Sequence, residues 1–158
     1  GANAIKIEGG DPRTCILIDE LVSAGVPIFG HIGLTPQAVH QLGGYHVQGK
    51  NTEQAQAIIE QAKNLEQAGC TAIVLECIPH QLAEVITAML TIPTIGIGAG
   101  SATDGQVLVW HDLLGMQDEF KPRFVKQYVN SKPLILDAVS NYITQVQQCE
   151  FPSPEYSY

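Results

Sequence analysis

Short apolar segments rich in Ile and Val alternate with stretches of helical periodicity, and this alternation constrains the fold more than any other feature of the chain. Strand-like segments lie at residues 4–7, 26–30, 72–75, 94–97 and 106–110, each closed by Gly, Pro or a polar residue. Between them, residues 14–24 carry Ile16, Leu17, Leu21 and Val22 at helical spacing and stop at Gly25. A second run opens at Thr52, continues through Ala55, Ile58, Ile59, Ala62 and Leu65, and stops at Gly69. A third helix is expected after Pro79, with that proline at the first helical position and Leu82, Val85, Ile86 and Met89 on one face. Past Pro122 the pattern predicts helix in two pieces broken at Pro133, followed by a tail from Phe151 that is flexible or docked.

Strand, helix, strand, helix in this order predicts a parallel sheet, either an open doubly wound sheet or part of a closed barrel. A complete eight-stranded barrel takes about 250 residues. Five strands in 158 residues are therefore a whole open sheet or a part of a barrel. Residues 1–150 are expected to form one catalytic-domain portion and residues 151–158 the tail.

Charge narrows the function. Eight Lys and Arg against 16 Asp and Glu leave a net charge of -8, which repels phosphate backbones and acidic headgroups and argues against a nucleic-acid or membrane-surface role. No apolar run approaches the roughly 18 to 20 residues that cross a bilayer, and no signal segment precedes the first strand, so a cytoplasmic location is expected. Cys15, Cys70, Cys77 and Cys149 form no Cys-x-x-Cys pair and read as reduced thiols. The chain starts without Met and enters a strand almost at once, as a piece of something longer would.

In both architectures the active site lies at the carboxyl ends of the strands, where each predicted strand leaves a polar or glycine group. Strand side chains alternate, so Lys6 and Glu8 share one face. They are either a surface ion pair of little value or part of a site that the following Gly9 and Gly10 open to a ligand. Glu76 emerges from Ala-Ile-Val-Leu, the most apolar strand, where a carboxylate is a stronger base than a solvated one; the alternative is a loop carboxylate or a cap for the next helix. His31, between Gly30 and Gly33, is a pocket residue or a structural hydrogen bonder. The spacing of His40, His46, His80 and His111 matches no zinc signature, and His111-Asp112 is either an orienting pair or a helix start with Asp112 as cap. Gly96-Ile-Gly98-Ala-Gly100 lacks dinucleotide-loop spacing and reads as a small-residue wall beside a substrate.

Seven phrases occur together: Lys6-Ile-Glu-Gly-Gly, Gly30-His-Ile-Gly-Leu-Thr-Pro-Gln, Gly43-Gly-Tyr-His-Val-Gln-Gly-Lys, Val74-Leu-Glu-Cys-Ile-Pro, Ile95-Gly-Ile-Gly-Ala-Gly, Thr103-Asp-Gly-Gln-Val-Leu-Val and Phe120-Lys-Pro-Arg-Phe-Val-Lys. In this order they resemble the ketopantoate hydroxymethyltransferase family. The resemblance implies a partial (β/α)8 TIM barrel, approximately strands four to eight with a helical carboxy-terminal extension, the first three strands lying outside this chain. It also implies Mg²⁺ and 5,10-methylenetetrahydrofolate as cofactor and co-substrate, 3-methyl-2-oxobutanoate as the oxoacid acceptor, and a homo-oligomer. By motif position Glu76 resembles the proton acceptor, Lys6 the substrate-binding lysine, His31 a pocket histidine and Glu8 a metal carboxylate, the other metal ligands belonging to the absent strands. The isolated segment is then expected to be inactive. Two rival readings are a Schiff-base aldolase using Lys6, and an incomplete barrel whose raw sheet edges serve assembly.

Overall fold

A computed structural model describes residues 1–40, 43–117 and 121–158. Phe120, which opens the last of the seven phrases, lies outside the described residues. The chain divides into two compact units, residues 1–107 and 108–158.

The first unit is a β/α succession. Strand β1 (Ile5–Glu8) leads to α1 (Pro12–Ser23), β2 (Ile28–Gly33), α2 (Thr52–Gln67), β3 (Ala72–Glu76), α3 (His80–Met89), β4 (Thr94–Ile97) and the two-residue β5 (Gly105–Gln106). All neighbouring pairs are parallel, and the spatial order is β1-β2-β3-β4-β5 without a reversal. An α/β fold with a parallel five-stranded sheet is therefore what the alternation produces.

Parity along the strands decides which residues enter the core. Ile28, Ile32, Ile73 and Leu75 are fully buried and join Ile18 of α1, Ile58, Ala62 and Leu65 of α2, and Leu82, Ala83 and Ile86 of α3 in one cluster. Each such Ile or Leu side chain gains about 1.5–3 kcal/mol by leaving water. Gly30 belongs to the same face, and an added Cβ there would strike Leu65, so the missing side chain lets α2 lie close on the sheet. Lys6, Glu8, His31 and Glu76 occupy the opposite parity.

Helix ends follow local chemistry. Asp11 caps α1 by accepting from the N–H groups of Arg13 and Thr14, and Asn51 caps α2 by accepting from that of Gln54. Both helices stop just before Gly25 and Gly69, as their sequences predict. Cys70 is buried between α2 and β3, and burial pushes its thiol up to about 11, which makes it an inert packing residue. All four cysteines are free.

Several expectations need correction. Pro79 is the cap residue of α3 and not its first helical residue. Val85 is 53% exposed, and Ala83 takes its place in the buried stripe. The fifth strand ends at Gln106: Val107 and Val109 are exposed, and Trp110 opens the one-turn helix α4 (Trp110–Leu113). Asp112 lies inside that turn, whose cap is Val109, and its carboxylate accepts from the Gln117 amide. No helix covers residues 121–131, and Pro133 starts a helix where a break was expected. In the first turn of α5 (Lys132–Gln147) its fixed φ and missing N–H carry no penalty. After α5, Phe151 contacts the rings of Tyr142 and Tyr156 within the second unit. Among the described residues no helix is long and apolar enough to cross a membrane.

Candidate active site

Three consecutive strands deliver four polar side chains to one place. Lys6 and Glu8 come from β1, His31 pairs with Glu8 across the β1–β2 ladder, and Glu76 ends β3 two positions beyond Val74, the partner of His31. Lys6 Nζ donates to Glu8 Oε1 at 3.3 Å and to His31 Nδ1 at 2.8 Å. Glu8 Oε1 is also 3.7 Å from His31 Nδ1, and His31 Nε2 is 3.0 Å from Glu76 Oε2. The four residues picked out by sequence thus meet, with the imidazole in the middle.

Burial separates their surroundings. The His31 side chain is 4% exposed, Glu8 9%, Glu76 15% and Lys6 45%. Lys6 and Glu8 are therefore more than a solvated pair, because the carboxylate end is almost entirely withdrawn from water and must be compensated. The capping alternative for Glu76 also falls, since no side chain caps α3.

Backbone groups complete the arrangement. Glu8 Oε2 accepts the Gln37 N–H at 3.0 Å, from the short 3₁₀ turn Pro36–Ala38 that follows β2. The Glu76 carbonyl accepts the Leu34 N–H at 2.8 Å, the Cys77 N–H donates to the Ile97 carbonyl, and the Cys77 carbonyl accepts the Gln48 N–H. Cys77 sits in the left-handed region at φ 51°, so the chain turns sharply after Glu76 while its backbone is held from β4 and two loops. Gly33, at φ 91°, lies so close to the Glu76 carbonyl that any Cβ would overlap it. Sequence reasoning missed Gln37, and no side-chain pattern could have revealed it, because its amide and not its side chain does the work.

Glu8 is a hard oxygen donor of the kind Mg²⁺ takes, while its carboxylate is already met by an ammonium and a backbone N–H. Among the described residues no group of three or more His, Cys, Asp and Glu side chains is gathered to hold a metal. The chain thus fits a cation as a contributor of one carboxylate, with further oxygens needed from elsewhere.

What the arrangement can do is limited and specific. A carboxylate at the end of a buried strand can accept a proton, and an ammonium on the other side of the imidazole from it can hold an anion.

The ketopantoate hydroxymethyltransferase family model matches residues 1–154. The 3-methyl-2-oxobutanoate hydroxymethyltransferase of Legionella pneumophila (strain Paris) is 60% identical over 158 residues, covering 100% of this chain and 60% of the relative. The same enzyme of Thermoanaerobacter sp. (strain X514) is 53% identical, covering 100% of this chain and 57% of the relative. That of Francisella tularensis subsp. novicida (strain U112) is 51% identical, covering 100% and 59%. The chain spans about 60% of the length of the curated relatives it matches. With the whole described site lying inside the matched residues, the chain belongs to the ketopantoate hydroxymethyltransferase family.

Proposed function

We propose that the chain carries the proton-accepting half of a 3-methyl-2-oxobutanoate hydroxymethyltransferase, an enzyme that transfers a hydroxymethyl group from 5,10-methylenetetrahydrofolate to 3-methyl-2-oxobutanoate and so forms 2-dehydropantoate in pantothenate biosynthesis. The observation that supports it most is the meeting of Lys6, Glu8 and Glu76 around one buried histidine at the carboxyl ends of successive parallel strands. The unreversed strand order is what strands four to eight of a (β/α)8 barrel would have. A doubly wound sheet reverses its order at a switch point.

In this reading Glu76 takes the proton from the substrate carbon next to the ketone, and the electron pair left behind forms the new C–C bond to the one-carbon unit, whose C–N bonds to the folate break as tetrahydrofolate leaves and water supplies the hydroxyl. Lys6 sets its positive charge against the oxoacid, whose carboxylate and developing enolate oxygen need a cation. His31 lines the same pocket. Glu8 would hold Mg²⁺ together with substrate oxygens, water and residues outside this chain. Once bound, the cation supplies Lewis-acid polarisation of the ketone oxygen. The enzyme would work in the cytoplasm as a homo-oligomer.

The test is Glu76→Gln in the full native polypeptide that carries this chain. Removing a positioned base should lower kcat by about 10²- to 10⁴-fold while KM changes little. Parental turnover in that variant would sink the proposal. Borohydride trapping of substrate on Lys6 would replace it with the Schiff-base aldolase.

A further inference from the structure

We infer that His31 is a positioning residue, whose ring is set in one tautomer by Lys6 and thereby presents an N–H to the Glu76 carboxylate. This deepens the proposed function and rests on Glu76 being its base.

A lysine ammonium has three donors and no acceptor. At 2.8 Å from Lys6 Nζ, His31 Nδ1 must therefore be the acceptor. An imidazolium would point an N–H at an N–H, and so would the tautomer protonated on Nδ1. The neutral ring with its proton on Nε2 is left.

Among the described residues that proton has one recipient nearby. Nε2 is fully buried and lies 3.0 Å from Glu76 Oε2, yet the pair is off the angle of a hydrogen bond, and Nε2 has no other partner among the described residues. A buried N–H without an acceptor is costly. Catalytic hydrogen bonds in ligand-free sites are often misaligned in this way and tighten when substrate arrives. Among the described residues nothing else competes: Glu8 Oε1, 3.7 Å from Nδ1, is beyond hydrogen-bond reach and is occupied by Lys6.

Position in the sheet explains why histidine suits the task. Residue 31 stands opposite Glu8, and Glu76 lies one pleat further along β3. Its ring is long enough to touch both neighbouring strands with different nitrogens. Lys6, the exposed member, thus acts on the buried carboxylate through a rigid spacer and without touching it.

Two measurements test this in the full native polypeptide. The first is the ¹⁵N spectrum of histidine-labelled protein, with the His31 signals assigned as those lost in His31→Gln. An unprotonated Nδ1 and protonated Nε2 are expected, and Lys6→Met should release the ring to a mixture of tautomers. Protonated Nδ1 in the parent, or the same tautomer in Lys6→Met, overturns the inference whatever the activity shows. The second is kinetic. His31→Asn, whose amide is too short to reach Glu76, should lower kcat about 30-fold with KM within about threefold. His31→Gln, whose amide N–H can reach that carboxylate, should recover most of the loss. Equal losses in the two variants, or a change confined to KM, would make His31 a packing or substrate-binding residue only. If Glu76→Gln is harmless, the base assignment falls, and the spectrum still decides the tautomer.

Discussion

Residues 1–107 and 108–158 solve the problem of burying a helix in different ways. In the first unit every helix longer than one turn hides a stripe against the sheet: Ile18 in α1, Ile58, Ala62 and Leu65 in α2, and Leu82, Ala83 and Ile86 in α3. In the second unit α5 is as long as α2, at 16 residues, and buries none of them. Leu134, Leu136, Val139, Tyr142 and Ile143 are all exposed. The sequence of α5 is at least as apolar as those of α1 and α2, so periodicity and propensity suffice to shape a helix, while burial depends on what faces it. Most helical stability in proteins comes from that packing.

The largest expected effect tests this contrast directly. Ile73→Ala, in the middle of the sheet, should cost about 2–5 kcal/mol in urea denaturation. Leu136→Ala, on the solvated face of α5, should cost about 0.5 kcal/mol or less. A loss at Leu136 approaching that at Ile73 would break the comparison and show that α5 is covered in solution.

A smaller effect separates local strain from its functional consequence. Gly33 and Gly115 both hold positive φ, and in both an added Cβ would overlap a backbone carbonyl, that of Glu76 or of Val129. Alanine at either site should cost at least about 1–2 kcal/mol from the left-handed backbone alone. Gly33→Ala should also lower kcat, because it displaces the carbonyl of the proposed base, whereas Gly115→Ala should lower stability only. Paired melting curves and kcat values decide whether the two differ.

The smallest effect is acid sensitivity in the first unit. Glu66 joins α2 to the segment before β4, and the Thr91 N–H, with help from the Thr91 hydroxyl and Ile92 N–H, holds its carboxyl below the ordinary value of 4.5. The Thr94 N–H and hydroxyl likewise hold Asp104 below 3.8. Because the folded value lies below the unfolded one, each contribution is fully present above the ordinary value and fades as pH drops through the folded value. Melting temperature should therefore decline as pH falls below about 4.5, and Glu66→Gln should flatten that slope.

Most of the first unit was legible because its signals are local. Residues 94–97 form β4 as read, and Thr52 opens α2 behind its Asn51 cap. Strand β2 runs on to Gly33 past the expected end at residue 30. Gly30 looks like a stop in sequence, but it is a small residue under Leu65 within a strand paired on both sides. The fifth strand was overextended because alternating Val107 and Val109 mimic a buried strand, although the pairing stops at Gln106. For the site, strand parity and apolar context pointed to Lys6, Glu8, His31 and Glu76, and these residues do converge. Their order around the imidazole, and the hold of Gln37 on Glu8, depend on register between strands and on a backbone amide, neither of which side-chain identity encodes.

The diagonal from Glu8 through His31 to Glu76 also says how such a chain can change over time. Helix lengths can drift without touching it, because they do not set the phase of the three strands. Gaining or losing a single residue inside β2 ahead of His31 would turn it toward the helices and bring Gly30 or Ile32 into its place, uncoupling the outer two charges in one step.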